Sequence, residues 1–328
     1  MDRRQRLAFC ALIAGLGYGG HLIDDGHALA ALVHPGTAPV QTPGNGWRED
    51  KGILFRIVPG PLSGQDGAQA TAAPAYSLLF GTLHFGSPQE LDLVPKRLQQ
   101  KVRQMHTFVA EVDTTEPWRQ ALQRYRLLDG NTALSDLIGP QRFASLCKLL
   151  PRVSPDQLQH LRPWVVLALL EARGESPTKI SLDDKLQDWA RHARLQIFAL
   201  ETLEQQLAAL DCVAPHEQAL VLRQRLDQAD DFHAQVARVL GYYRARNLPA
   251  WLDEVNSPVG LDSAGVALER RARQCLLEAR NARWLRQLVV QLRSGGVFVA
   301  VGALHLTGPQ GLLEGLRQQG YSVYPETL

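Results

Sequence analysis

Short, mainly apolar runs alternate along this chain with longer stretches in which apolar residues recur every three or four positions. The short runs predict buried strands, and the recurrences predict amphipathic helices. Ile53 to Val58, Tyr76 to Phe80, Thr107 to Asp113, Leu195 to Leu200, Phe298 to Val301 and Tyr321 to Tyr324 have strand length. The first two read as a hairpin around a loop at 59–75 that is rich in Gly, Pro, Ser, Ala and Gln. Helix is predicted from Pro88 to Met105, with Leu91, Val94, Leu98 and Val102 on one face. From Glu116 to about Leu170 the pattern is helical between turns at Asp129-Gly130-Asn131, Gly139-Pro140 and Val153-Ser154-Pro155. Ser181 and Asp184 form a capping box before a helix that turns Leu182, Leu186 and Trp189 inward, and a second box starts at Thr202. Residues 215–294 read as long helices broken near Asn247 and between Asn256 and Gly265, stopped by Gly295-Gly296. A last helix runs from Gly308-Pro309 to Gln319. Strands at both ends of the chain therefore flank a helical block. This predicts an α/β fold: a single mixed sheet built from N- and C-terminal strands, with a large helical insertion at about 115–294.

One stretch occurs twice. Ser77 to Phe80 runs into Gly81-Thr82-Leu83-His84, and Phe298 to Val301 runs into Gly302-Ala303-Leu304-His305. Each is a buried strand closed by a glycine, which permits close approach of backbone or ligand because it lacks a Cβ. Each histidine then follows a strand's carboxyl end, the edge where open α/β sheets bind ligands. If the two strands are neighbours, His84 and His305 meet in one cleft. Glu111 interrupts an apolar strand, where an acid must be paired or bound to a cation. Two histidines and a carboxylate are a common set for a catalytic divalent metal, zinc, manganese or cobalt, so His84, His305 and Glu111 are the candidate metal residues. Glu111 is also a candidate general base, with Glu201 and Asp183 as further catalytic acids or orienting groups. Arg280 and Asn281, with Gly81 and Gly302, are candidate substrate-binding positions. Simpler roles stand beside these: Glu111 paired with a buried arginine, Asp183 and Glu201 as acids favoured at helix N-termini, Arg280 exposed on its helix, and Asn281 as a surface residue or cap.

Composition narrows the functional classes. The chain has 328 residues, 45% hydrophobic and 21% charged, with a net charge of +2. Such a chain can build a sizeable core, and nothing in its charge argues for a nucleic-acid partner. Met1 to Arg6 is basic and Leu7 to Gly20 is uncharged and mostly apolar, a secretory signal pattern or an anchor too short for an ordinary span of about 20 residues. Residues 1–30 are thus assigned to a signal peptide or membrane anchor plus linker, 31–328 to the folded domain, with 21–50 irregular. An exported, periplasmic or membrane-anchored location follows. Beyond Cys10, Cys147, Cys212 and Cys275 permit at most one disulfide. Walker, G-x-S-x-G, G-x-G-x-x-G and H-E-x-x-H motifs are missing from the sequence. His106, His160, His192, His216 and His233 have no useful partner spacing.

Together these pieces resemble the TraB/GumN family, related to Tiki-type metalloproteases and more distantly to erythromycin-esterase-like and ChaN-like proteins. The resemblance spans roughly residues 52 to 325. It rests on Gly81-Thr82-Leu83-His84, the strand ending in Glu111, Leu182-Asp183, Leu200-Glu201-Thr202, Arg280-Asn281 and the closing motif from Val301 to Leu313. The loop at 59–75 is longer than that pattern, and Ala282-Arg283-Trp284 departs from the basic residue and Met usual after the Arg-Asn pair. The resemblance implies a metal-dependent hydrolase, a peptidase above other kinds, acting outside the cytoplasm on a peptide or small molecule. His84 and His305 would bind the metal, Glu111 would be a third ligand or base, and Asp183, Glu201, Arg280 and Asn281 would line the cleft. The rival reading is a binding protein that holds a peptide, haem or iron ligand in the same cleft without turnover. Oligomeric state is left open.

Overall fold

The computed structural model describes residues 45–60, 76–172 and 181–328. The predicted signal segment and most of the 59–75 loop lie outside the described residues. In chain order the elements are β1 (Leu54–Val58), β2 (Ser77–Thr82), α1 (Pro95–Arg103), β3 (Thr107–Ala110), α2 (Leu134–Ile138), α3 (Pro140–Leu149), α4 (Pro155–Gln159) and α5 (Pro163–Glu171). There follow α6 (Leu182–His192), β4 (Gln196–Ala199), α7 (Leu203–Leu210), α8 (Pro215–Asp227), α9 (Ala229–Arg244), α10 (Leu248–Val255) and α11 (Ser263–Arg273). A π-helical turn, Gln274–Glu278, leads into α12 (Ala279–Gln291), and β5 (Val297–Gly302), α13 (Leu312–Gln318) and β6 (Ser322–Pro325) end the chain.

The strands form one mixed sheet in the order β4-β3-β5-β2-β1-β6. β5, from the far end of the chain, inserts between β2 and β3 and runs parallel to both, with Gly81 opposite Val301 and Thr82 opposite Gly302. The two histidine-bearing strands are therefore neighbours. β4 extends the parallel set beyond β3, while β1 is antiparallel to β2, as the hairpin pattern predicts, and to β6. Every residue of β2, β3 and β5 is buried. Their unbroken apolar sequence follows from this, because a central parallel strand is covered on both faces. Phe298 stacks on Phe108 of the next strand at 5.7 Å between ring centroids, and Phe80 lies 6.2 Å from Phe298. These rings anchor the sheet beneath its carboxyl edge.

Both capping boxes form: Ser181 accepts from the Asp184 amide and Thr202 from the Gln205 amide, with the N3 side chains reaching back. Two expectations change. The helix predicted over 88–105 begins at Pro95, because Val94 has extended backbone and stands outside as the N-cap, 48% exposed. The stretch assigned as irregular linker is packed at its end: Trp47 is buried, and Asp50 accepts two hydrogen bonds from Arg317, at 2.8 and 2.5 Å. Cys212 pairs with Cys275, leaving Cys147 free. That disulfide ties the end of α7 to the π-helical turn. No helix among the described residues is long and apolar enough to cross a membrane.

Candidate active site

The parallel strands deliver four chemical groups to one edge. His84 follows β2, Glu111 follows β3, Glu201 follows β4 and His305 follows β5. The ladder between β3 and β4 continues past the strands, with Leu200 donating to Ala110 and Glu201 to Glu111 through the backbone, each at 2.9 Å. This brings the two glutamates side by side. After β5 a 3-10 turn, Ala303–His305, folds His305 back over the edge.

Asp183, in the first turn of α6, reaches the same place. It accepts from Thr82 Oγ1 at 2.8 Å with one oxygen and pairs with His84 Nδ1 at 2.9 Å with the other. The carboxylate thus orients the ring and leaves Nε2 aimed away from it, the arrangement by which a carboxylate holds a ligating or basic histidine. The His84 side chain is 5% exposed. Burial alone would lower its pKa, but the adjoining Asp183 and then Glu111 outweigh that, and the pKa lies above the ordinary value.

Arg280 sits beneath, fully buried, and joins the other groups. It donates to Glu111 Oε2 at 2.6 Å, to Glu201 Oε1 at 2.6 Å, to His305 Nε2 at 3.1 Å and to the Leu276 carbonyl at 3.1 Å. Its guanidinium lies over Trp284, 4.4 Å from the ring centroid, and Trp284 also contacts the His305 ring at 4.4 Å. Glu111 gains further donors in the Gly302 amide at 2.6 Å and Gln206 Nε2 at 3.0 Å. Burial would raise its pKa, yet Arg280, then the two histidines and the Gly302 N–H, bring it down to about 2. Glu201 moves the opposite way: burial pushes it up, and Glu111 across the shared guanidinium adds to the rise. Burial and then the positive charge of Arg280 lower His305 to about 3, so its imidazole is neutral.

Gly302 is the floor of the cluster. A Cβ placed there would lie 3.4 Å from Glu111 Oε1, 3.4 Å from His84 Nε2 and 3.5 Å from His305 Cδ2. The missing side chain leaves a cradle where the three predicted ligands converge. A cleft of about 320 Å³ opens beside it, lined by His84, Glu111, Asp183, Gln187 and Gln206 among others. A larger, apolar cavity of about 610 Å³, walled by residues such as Trp164, Leu167 and Val213, lies among the helices and contains none of the site residues.

The cradle accommodates positive charge. Glu111 and Glu201 share the buried Arg280, Arg283 lies 3.5 Å from Glu201, and Asp183 pairs with His84, which leaves Glu111 Oε1 as the carboxylate oxygen nearest the cradle. His84 Nε2 and Glu111 Oε1 are a borderline nitrogen and a hard oxygen, a donor pair suited to a divalent ion. The third predicted donor differs, since His305 Nε2 faces Arg280 instead of the cradle. Accordingly, no group of three His, Cys, Asp or Glu side chains among the described residues is placed to hold a metal ion.

The remaining predicted positions separate by depth. Asn281 is buried behind His305, holding its Nδ1 at 2.6 Å. Gly81 faces the turn after β5, where an added Cβ would come within 2.9 Å of Ala303, so close packing and not the cleft accounts for this glycine. Arg280 is neither exposed on its helix nor open to the cleft. Among the alternatives read from the sequence, a buried arginine partner for Glu111 is what stands in the structure. Thr82 and Gln206 join the site beyond the predicted residues, through Asp183 and Glu111 respectively. Thr82 had a signal in the Gly-x-x-His stretch itself, whereas Gln206 lies inside an ordinary amphipathic helix.

The profile of the TraB/PrgY/gumN family matches residues 69–325. "Metalloprotease TIKI1" of Danio rerio is 24% identical over 299 residues, which cover 75% of this chain and 60% of that protein. "Metalloprotease TIKI2" of Xenopus tropicalis is 24% identical over 302 residues, 76% of this chain and 57% of its own. "Metalloprotease TIKI1" of Homo sapiens is 24% identical over 298 residues, 75% and 59% respectively. The chain thus spans less than two thirds of the length of these relatives. No solved structure matches it. The profile takes in β2 through β6 and every residue of the cluster at the sheet edge, and the chain belongs to the TraB/PrgY/gumN family.

Proposed function

We propose that this chain is a hydrolase that cleaves peptide amide bonds at the carboxyl edge of β2, β3 and β5. The observation that carries the reading is the His84–Asp183 pair, 2.9 Å apart, aiming His84 Nε2 at a cradle shared with Glu111 Oε1. The printed name of the relatives, metalloprotease, supports the same class. A divalent ion, zinc, manganese or cobalt, would be held by His84 Nε2 and Glu111 Oε1. Bound there, such an ion supplies Lewis acidity toward a carbonyl and lowers the pKa of a water.

The chain's own groups have distinct tasks. Asp183, fixed by Thr82, keeps the His84 ring in one orientation, with Nδ1 engaged and Nε2 toward the cleft. Glu111, with its pKa held near 2 by Arg280 and the Gly302 amide, stays ionised at working pH. It is therefore suited to holding positive charge and poorly suited to taking a proton as general base. Gly302 keeps the floor open, and Arg280 locks both glutamates in place.

We also propose that the protein works outside the cytoplasm. The basic and apolar order of Met1 to Gly20 supports export. The Cys212–Cys275 disulfide supports an oxidising compartment.

The test is incubation of the purified protein with a defined peptide mixture, with and without Mn²⁺, Co²⁺ or Zn²⁺, and product analysis by mass spectrometry. Internal cleavages that vanish in His84→Ala support the hydrolase. Peptide retention without cleavage under every condition overturns it in favour of the binding protein, and a Soret band on adding haem would identify a haem ligand.

A further inference from the structure

The two Gly-x-Leu-His stretches are alike in sequence, but their histidines do different things. The difference is decided by hydrogen bonds. Asn281 Nδ2 donates to the carbonyls of His305, at 3.2 Å, and Gln310, at 2.8 Å. With its NH₂ committed to two acceptors, the amide presents Oδ1 to His305 Nδ1 at 2.6 Å. An amide oxygen only accepts, so Nδ1 carries the proton and Nε2 carries the lone pair. That lone pair meets an Arg280 N–H at 3.1 Å.

Arg280 is equally committed. Its Nε donates to Glu201, its Nη1 to Leu276 O and His305, and its Nη2 to Glu111 and Glu201. A guanidinium has five N–H groups, and these contacts engage all of them. None is left for a substrate carboxylate or an oxyanion. A ring nitrogen has one lone pair, so His305 Nε2 cannot serve both this donor and a metal. Freeing it would leave a buried Arg280 Nη1–H without its acceptor and set the ion beside a guanidinium, which disfavours the exchange.

We propose that His305 is a positioning residue for Arg280 and not a metal ligand, and that Arg280 is the resident cation of the site. The guanidinium takes the place that a symmetrical pair of histidines would give to the ion. The protein then offers a divalent ion two donors, His84 Nε2 and Glu111 Oε1, and leaves its other positions to water and substrate. This proposal rests on the metal-assisted hydrolase reading above. It also predicts an exchangeable ion, because most catalytic sites that retain zinc supply three protein ligands.

The experiment is ¹⁵N-edited NMR of the full chain labelled at histidine, with ring signals assigned through His84→Gln and His305→Gln, titrated with Zn²⁺. Before zinc, His305 is expected to show a protonated Nδ1 and an unprotonated Nε2. On titration the His84 Nε2 signal moves and both His305 nitrogens stay put. Movement of His305 Nε2 alongside His84 overturns the proposal, as does the opposite tautomer in the zinc-free protein. If neither ring responds to zinc while His305 shows the stated tautomer, the positioning role stands and the metal part of the functional reading falls. Calorimetry supplies a second arm. His305→Gln, whose side-chain oxygen can still accept from Arg280, should keep zinc affinity within about threefold of wild type, whereas His84→Gln should lose at least about tenfold. A tenfold loss in His305→Gln would again overturn it.

Discussion

Replacing Arg280 with Met keeps the bulk of the side chain and removes the charge that joins Glu111 to Glu201. In the wild type Glu111 titrates near 2 against an ordinary 4.5, a difference worth about 3 kcal/mol. The sign follows from the depressed folded pKa: this stability is present above pH 4.5 and is lost as pH falls toward 2. The variant reverses the situation. Two buried carboxylates then face each other with only the part-exposed Arg283, 3.5 Å from Glu201, beside them, so the folded pKa of Glu111 above all rises and stability falls as pH climbs toward neutrality. Removing one partner of a buried ion pair costs about 3–5 kcal/mol, a large share of the roughly 5–15 kcal/mol that holds a domain folded. Urea unfolding of both proteins with the disulfide intact, followed by circular dichroism between pH 4.5 and 7.5, measures the gap. It should be widest at pH 7.5 and shrink steadily toward pH 4.5. A gap below about 1 kcal/mol at pH 7.5, or one unchanged across that range, would refute the reasoning, since even an exposed pair can reach that size.

Three further outcomes follow from particular contacts. In Gly302→Ala the new methyl meets Glu111 Oε1, His84 Nε2 and His305 Cδ2 at ordinary contact distances of 3.4 to 3.5 Å, so the protein should fold. The methyl fills the cradle, and equilibrium dialysis should show divalent-ion affinity reduced at least about tenfold. Thr82→Val removes the hydroxyl that holds Asp183 and should slow peptide hydrolysis about tenfold, with little change in the thermal unfolding midpoint. Replacing both Cys212 and Cys275 with Ser opens a crosslink of sequence separation 63 and should cost about 4 kcal/mol in denaturant unfolding.

Much of the fold was legible because the strongest signals are local. Apolar runs closed by glycine marked β2 and β5, and their recurrence implied a shared edge; the parallel pairing of Gly81 with Val301 realises it. Capping boxes at Ser181 and Thr202 placed α6 and α7, since a hydroxyl three residues before a matching acid or amide is a contact within one turn. The start of α1 was misread because Val94 continues the helical spacing while Pro95 dictates extended backbone before it. Asp50 was hidden for another reason: its partner Arg317 is distant in sequence, and no periodicity reports such a pair. The same holds at the site. Glu111 stands out as an acid in an apolar run and His84 by the repeated Gly-x-Leu-His stretch, whereas Asp183 reads equally as an ordinary acid at a helix N-terminus. That Arg280 would turn inward and engage His305 could not be read from an Arg-Asn pair on a helix, because helical spacing says nothing of how deep a long side chain reaches.

The central claim is that the cluster at the sheet's carboxyl edge performs hydrolysis through a His84 oriented by Asp183. The most direct measurement is kcat/KM of wild type and Asp183→Asn on one peptide identified from the mixture, with folding of both verified by circular dichroism. An asparagine keeps the shape and removes the charge that pairs with His84 Nδ1. The account predicts a loss of about 100-fold with an unchanged spectrum. Undiminished turnover by the folded variant would contradict it.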